Sequence, residues 1–480
     1  MRTLLSNVLI GFLKLVTRVF FRSVEVSGRD NIPALGPVIF VGNHPNSLLD
    51  PVMVTTTCPR AVRFAAKESL FGGPLRPFLW LLGSVAIKRR QDQVEGAAED
   101  AALPADAPRV DNSAAFDALF QVLAQGEAFG IFPEGISHTR PELAPLKTGA
   151  ARIALGALAK GIPVQIVPVG LSYRRRDRMR SRVLVQFGAP LVLDAALLAR
   201  AATDPLMAAR ELTATIALAL RAQTINTADF DTLRVLDGVR KLYKPEGVTL
   251  SLSQQGELMR RFIEHWEKLQ HVPQIGAFYR EVESYQGSLR ALGLVDKDLR
   301  GDPLSFLARA QHVLTHMVFS LVLVPAAIPG IIVHLPVLLV AVWAGQTLTS
   351  RGDVRATIKM CAATFLTLLG YAAIAAIVLW RVPPADAVLA AVSTLGALLL
   401  SGYATIRVLE KQSELRRGLK TFIAVLHIDK ELARLAAERE RLRARLLELI
   451  DAHLGTEVPR VIDRGAHDDV TSWLDAEDAD

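Results

Sequence analysis

Between residues 23 and 200, short apolar runs alternate with longer stretches of helical periodicity. The runs cover 24–26, 38–41, 62–65, 129–132, 164–169 and 183–187. Each has the length of a buried strand, and the segments between them are long enough to hold crossover helices. The pattern predicts an α/β domain over 23–200. One crossover helix is clear: it opens near Asn112 or Ser113, places Phe116, Leu119, Phe120 and Leu123 on one face, and stops at Gly126. Residues 91–112 before it hold six acids and one base among Ala, Gly and Pro. That stretch has too little bulk to pack and reads as a flexible surface insertion.

The flanks follow other periods. Over residues 1–22, Leu4, Leu5, Val8, Leu9, Phe12 and Leu13 begin an apolar surface opposite a polar stripe of Thr3, Asn7, Gly11, Lys14, Arg18 and Arg22. Lys14 and Arg18 oppose a full span, so an interfacial amphipathic helix is expected, with a core helix as the plainer alternative. It lacks the small-residue cleavage site of a secretory signal and is expected to remain in the mature chain. Residues 201–310 turn helical and polar, as in 257–269 with Leu258, Phe262 and Trp266, and carry no assignable chemistry. Residues 311–408 hold three apolar blocks, 313–346, 360–380 and 387–406. Within 409–480, residues 409–454 form a charged amphipathic helix whose irregular heptads favour packing on the soluble domain over self-pairing. The acidic tail from His467 reads as disordered.

Composition sharpens the membrane reading. The chain has 480 residues, 51% of them hydrophobic, and a mean hydropathy of +0.29, high for a wholly soluble protein. Cys58 and Cys361 form no metal or redox pattern, which fits a cytosol-facing protein. A net charge of +7 favours an anionic neighbour. No nucleic-acid-binding motif is readable, so anionic lipid is the expected partner. Arg351, Arg355 and Lys359 follow the first apolar block, and Arg407, Lys411, Arg416, Arg417 and Lys420 follow the last. Basic loops prefer the cytoplasmic side. Both share the side of the α/β domain only if 313–346 enters and returns, and Pro325, Pro329-Gly330 and Pro336 supply a break. Two full spans need roughly 40 residues. A re-entrant or short hairpin is therefore expected there, followed by a transmembrane hairpin over 357–380 and 385–406, with one long broken helix and three spans as the alternative.

The candidate chemistry begins at Asn43-His44-Pro45-Asn46-Ser47-Leu48-Leu49-Asp50, directly after the apolar run ending in Gly42. A His at a strand end followed by a carboxylate can supply a general base and its orienting partner. Pro45 suits the first position of a helix. Six residues along a straight helix leave two side chains about 120° apart, so His44 must lie in the loop and fold back to meet Asp50. Lys67-Glu68-Ser69-Leu70 and Ile87-Lys88-Arg89 place Lys67 and Arg89 where they can clamp a phosphate. In Phe132-Pro133-Glu134-Gly135-Ile136-Ser137-His138 a strand runs into a tight turn that thrusts Glu134 out at its end. Val167-Pro168-Val169 reads as a strand with a structural Pro at an edge or terminus. Arg174, Arg175, Arg176, Arg178, Arg180 and Arg182 crowd the next loop, either as a solvated patch or as contacts to headgroups, coenzyme A phosphates or an acidic carrier protein. A metal set of His44, Asp50, Glu134 and His138 lacks tight spacing, and no metal or resident cofactor is expected.

These blocks, in this order over about 130 residues, resemble the glycerolipid acyltransferases. That family commonly has four residues between its His and Asp; here there are five, as in the fungal-type glycerol-3-phosphate/dihydroxyacetone-phosphate acyltransferases. The likeness continues in Ile136-Ser137-His138, in Thr224-Ile225-Asn226-Thr227-Ala228-Asp229-Phe230 and in the C-terminal membrane region. It implies a mixed sheet with surrounding helices, and a membrane-bound enzyme moving an acyl group from acyl-CoA or acyl-ACP to glycerol 3-phosphate or dihydroxyacetone phosphate. His44 would be the base, Asp50 its orienter, Lys67 and Arg89 phosphate binders, and Glu134, Gly135, Ser137 and His138 substrate-binding. Lysophosphatidate as acceptor, or a non-catalytic lipid-binding role, are the alternatives. The expected location is a bacterial inner membrane, with the site on the cytoplasmic face.

Overall fold

The computed structural model describes residues 2–73, 75–88, 111–245, 248–299, 306–427 and 429–453. Arg89, residues 91–110 of the expected insertion and the acidic tail lie outside them. The described residues separate into two compact units, one within Met1–Asn226 and Leu339–Phe365, the other within Thr227–Leu338 and Leu366–Asp480.

The first unit runs α1 (Arg2–Phe20), β1 (Ser23–Ser27), β2 (Val38–Gly42), α2 (Leu49–Thr57), β3 (Val62–Lys67), α3 (Arg76–Leu81), β4 (Val85–Ile87), α4 (Ser113–Ala124), β5 (Ala128–Ile131), α5 (Gly149–Ala159), β6 (Gln165–Tyr173), β7 (Arg182–Phe187), α6 (Ala195–Thr203) and α7 (Pro205–Gln223). Seven strands form one mixed sheet in the order β1-β7-β6-β2-β5-β3-β4. All neighbours are parallel except β6 and β7.

The middle strand explains why the apolar runs are unbroken. Every residue of β2 is buried. Val38 and Phe40 face a core with Leu49 and Met53 of α2. Ile39 and Val41 face the opposite core, with Leu119 of α4, Ile153 of α5 and Leu212 and Ile216 of α7. A parallel strand covered on both faces needs apolar residues at consecutive positions. Because α7 closes the second core, the α/β unit extends past residue 200 to about 226. Pro168 lies in interior strand β6 rather than at a sheet edge. The β6–β7 ladder stops at Val169↔Phe187, one residue beyond it, and Pro168 O accepts the Gly188 N–H at 2.8 Å.

Helix α1 is apolar and long enough to cross a membrane. Leu4 and Val8 are exposed, whereas Phe20 and the following Phe21 are buried in the sheet's core. Arg180 Nη1 donates to Arg18 O at 3.1 Å, Val19 O at 3.0 Å and Phe21 O at 3.0 Å, satisfying carbonyls at a helix end that has no intrahelical donors.

The second unit holds α8 (Phe230–Tyr243), α9 (Leu252–Leu269) and α10 (Pro273–Ala291). Helix α11 (Phe306–Thr347) passes from this unit into the first, α12 (Arg355–Arg381) leads back, and α13 (Pro384–His427) and α14 (Asp429–His453) follow. Leu432, Leu435, Leu442 and Leu446 of α14 share a core with Val235, Phe262 and Val282 of α8–α10. The charged helix expected over 409–454 is therefore divided: its first part continues α13, and α14 is separate.

Among the described residues, three further segments are long and apolar enough to span: Leu323–Thr347, Arg355–Arg381 and Pro384–Glu410. The hairpin expected over 313–346 is instead one 42-residue helix containing Pro325, Pro329 and Pro336. A helix keeps such prolines when neighbours satisfy the freed backbone groups. Here Ser401 Oγ accepts the Gly330 N–H and donates to Ala326 O, both at 2.6 Å, and Thr405 Oγ1 donates to Ala327 O at 3.2 Å.

Candidate active site

Strands β2, β5 and β6 lie side by side in parallel, and their C-terminal ends gather the conspicuous sequence blocks, as is usual where α/β sheets bind ligands. Asn43 fixes the exit of β2: its side chain donates to Leu171 O at 3.1 Å and accepts the Leu171 N–H at 2.7 Å. The chain then turns through Ser47, whose φ of 46° is left-handed, and α2 starts at Leu49. Pro45 thus belongs to the turn and not to the first turn of α2. This turn brings Asp50 back to His44 across five intervening residues. Asp50 Oδ2 ends 2.8 Å from His44 Nδ1 and accepts the Asn46 N–H at 2.7 Å.

Asp50 is wholly buried and His44 keeps 20% of its side chain exposed. A third donor, Tyr173 O–H, reaches Asp50 Oδ1 at 2.7 Å. Burial pushes the Asp50 carboxyl above its ordinary value, while His44, the Asn46 N–H and Tyr173 pull it back. Burial and the Asp50 charge push the Tyr173 hydroxyl well above 10, so it stays a donor. An ionised Asp50 accepts the Nδ1 proton and leaves Nε2 with its lone pair, the tautomer a general base requires.

Aromatic stacking fixes the ring plane. His44 lies on Phe132 at 4.3 Å between centroids and 6° between planes, and Phe132 lies over Phe64 at 5.6 Å and 15°. Two glycines make room for the stack: a Cβ on Gly130 would meet the Phe64 ring at 2.4 Å, and one on Gly42 would meet Phe132 at 3.0 Å.

The loop after β5 braces the His44 backbone. Glu134 Oε1 accepts the His44 N–H at 2.6 Å, and Oε2 accepts the Ala144 N–H at 2.8 Å and pairs with His138 Nε2. The His138 N–H donates to His44 O at 3.1 Å. Glu134 is 2% exposed, and both its oxygens are engaged by the protein. Direct substrate contact, expected from the sequence, is thus not what its carboxylate is placed to do. Gly135 turns the loop at φ 72°, and a Cβ there would lie 2.6 Å from Lys147 Nζ. Ser137 Oγ donates to Asp353, in the link between α11 and α12. Lys67 closes β3, two strands from β2, and its proposed phosphate partner Arg89 lies outside the described residues.

Sequence reasoning missed Tyr173, Asp353 and the duties of the arginine run. Arg176 donates to His138 O at 3.2 Å and Thr139 O at 3.0 Å. Burial lowers its pKa against the opposing charges of Asp50 and Asp353. Arg176 here and Arg180 at the end of α1 thus have structural duties. One signal for Asp353 exists in the sequence: it is the lone acid among Arg351, Arg355 and Lys359.

The "Acyltransferase" family model matches residues 23–172, and the model described as "Glycerol-3-phosphate acyltransferase 2 C-terminal domain" matches residues 235–458. The chain carries an acyltransferase domain and is similar to glycerolipid acyltransferases along most of its length. It is 25% identical to glycerol-3-phosphate O-acyltransferase 1 of Saccharomyces cerevisiae, over 100% of this chain and 75% of the yeast protein. It is 28% identical to glycerol-3-phosphate O-acyltransferase 2 of the same yeast, over 71% of this chain and 49% of that one. The chain therefore spans three quarters of the first relative and about half of the second. Another acyltransferase, the 1-acyl-sn-glycerophosphate acyltransferase from Thermotoga maritima, has a crystal structure similar at a TM-score of 0.31 and 19% identity, covering 46% of this chain and 82% of that one.

Proposed function

We propose that this membrane acyltransferase moves a fatty acyl group from acyl-CoA or acyl-ACP to glycerol 3-phosphate or dihydroxyacetone phosphate, early in phospholipid synthesis. The alignment of the whole chain, C-terminal helices included, with a yeast glycerol-3-phosphate O-acyltransferase carries the choice of acceptor. The chemistry follows from the site. His44 Nε2 removes the hydroxyl proton as the acceptor oxygen attacks the thioester carbonyl. Asp50 holds the Nδ1–H and stabilises the imidazolium. As the tetrahedral adduct collapses, the C–S bond breaks and His44 returns the proton to the departing thiolate, giving an oxygen ester and a free thiol. No acyl-enzyme is needed, since His44 can activate the acceptor hydroxyl directly, and Cys58 is buried in the core.

The cations Lys67 and Arg89 remain the proposed phosphate clamp, with Ser137 and His138 shaping the acceptor side. The basic segment 351–359, with Arg351, Arg355 and Lys359, is bonded to Ser137 of the active-site loop through Asp353 and to Asp177 O of the β6–β7 loop through Lys359, which supports a cytoplasmic-facing site. Purified full-length protein in phospholipid vesicles, given acyl-CoA and each acceptor separately, is expected to yield 1-acylglycerol 3-phosphate. Acylation of lysophosphatidate alone overturns the acceptor, and no acylation of any acceptor overturns the enzymatic reading.

A further inference from the structure

The seven residues 348–354 that join α11 to α12 belong to the first unit and reach the active-site loop. Asp353, 5% exposed, accepts the Ser137 hydroxyl hydrogen. Arg351 clamps both: Nη2 donates to Asp353 Oδ2 at 2.6 Å and to Ser137 Oγ at 3.2 Å, and Nε to Asp353 Oδ1 at 3.3 Å. Against the penalty of burial, the hydrogen bonds from Arg351 and Ser137 hold the Asp353 carboxyl below the usual range, so it is charged at neutral pH. A second tie lies one turn into α12, where Lys359 Nζ donates to Asp177 O at 2.7 Å. Ala356 and Met360 of α12 are buried in the sheet's core.

We propose that Asp353 is a positioning residue for the general base, so that the link between two apolar helices sets the placement of His44. The inference rests on the assignment of His44 as base. Asp353 fixes Ser137, and the next residue, His138, holds His44 O through its N–H while its ring holds Glu134. Glu134 in turn holds the His44 N–H at 2.6 Å. A second route runs through Arg176, which feels the Asp353 charge and binds the carbonyls of His138 and Thr139. Both routes end on the segment that grips the His44 main chain from either side. Releasing Ser137 therefore displaces the base relative to the thioester, and Asp353→Ala does so while keeping the Ser137 hydroxyl on the acceptor side.

The test uses full-length protein in vesicles with acyl-CoA and glycerol 3-phosphate, comparing Asp353→Ala, Ser137→Ala and the double variant with wild type. Each single variant is expected to lower kcat roughly 10- to 100-fold, the scale of a misplaced catalytic group. The KM for acyl-CoA stays within about twofold, and the double variant is no slower than the slower single one, because both remove the same contact. Multiplying effects, or wild-type kcat in both singles, overturn the proposal. Ser137→Ala removes one oxygen and keeps the test decisive should Asp353→Ala fold poorly. His44→Ala in the same assay separates the two claims: if it retains turnover, the base assignment fails independently of Asp353.

Discussion

Tyr173 O–H reaches Asp50 Oδ1 at 2.7 Å, giving the buried carboxylate that orients His44 a donor from the end of β6. This bond is one of the forces pulling the Asp50 carboxyl back toward its ordinary value. Tyr173→Phe removes it, so the Asp50 pKa rises further. Protonated Asp50 no longer accepts the His44 Nδ1 proton well, and activity falls on the acid side. The acid limb of the kcat/KM profile is expected to move to higher pH in Tyr173→Phe. An unmoved limb would sever Tyr173 from the catalytic pair.

Asp50 combines a stability cost with a catalytic gain. Its raised folded-state pKa means that the folded chain binds this proton more tightly than the unfolded chain. The associated stability is fully present below the ordinary carboxylate value of about 4 and is lost as pH rises through the raised one. At pH 7 ionised Asp50 therefore costs stability, and Asp50→Asn is expected to melt no lower than wild type. Turnover should nonetheless fall roughly 10³–10⁴-fold, the scale of the same change in other His–Asp pairs. A marked drop in Tm at pH 7 would contradict this balance.

Gly130 protects the stack that sets the His44 ring. A Cβ there meets three atoms of the Phe64 ring between 2.4 and 2.9 Å, and the displaced ring pushes on Phe132. Gly130→Ala is expected to destabilise by about 1–3 kcal/mol, as overpacking does, and to slow turnover. Adding Phe64→Leu should recover part of both. Thermal melting and steady-state rates of the single and double variants check this.

The legible parts of the sequence were those whose neighbours along the chain carry the signal. β2 was readable because burial on both faces makes its apolar run continuous. The His44–Asp50 block was readable because its strand, turn and helix are contiguous. Ser47 was not, since nothing local marks a serine that must adopt a left-handed φ. Tyr173 ended a strand as an ordinary aromatic, and its partner Asp50 is 123 residues away. Asp353 and Ser137 lie 216 residues apart, and no spacing encodes such a meeting. The prolines of α11 suggest a break because the hydroxyls that brace the helix beside Pro325 and Pro329 come from Ser401 and Thr405 on another helix. Helix α7 reads in the sequence as the start of a separate region, because Leu212 and Ile216 close the sheet's second core only through contacts with distant segments.

The most direct measurement is the turnover of His44→Ala with acyl-CoA and glycerol 3-phosphate, in protein that still partitions to the membrane and melts as wild type does. General-base removal predicts a kcat lower by roughly 10²–10⁴-fold, with little change in the KM of either substrate. Turnover equal to wild type would contradict the assignment of His44 as the catalytic base.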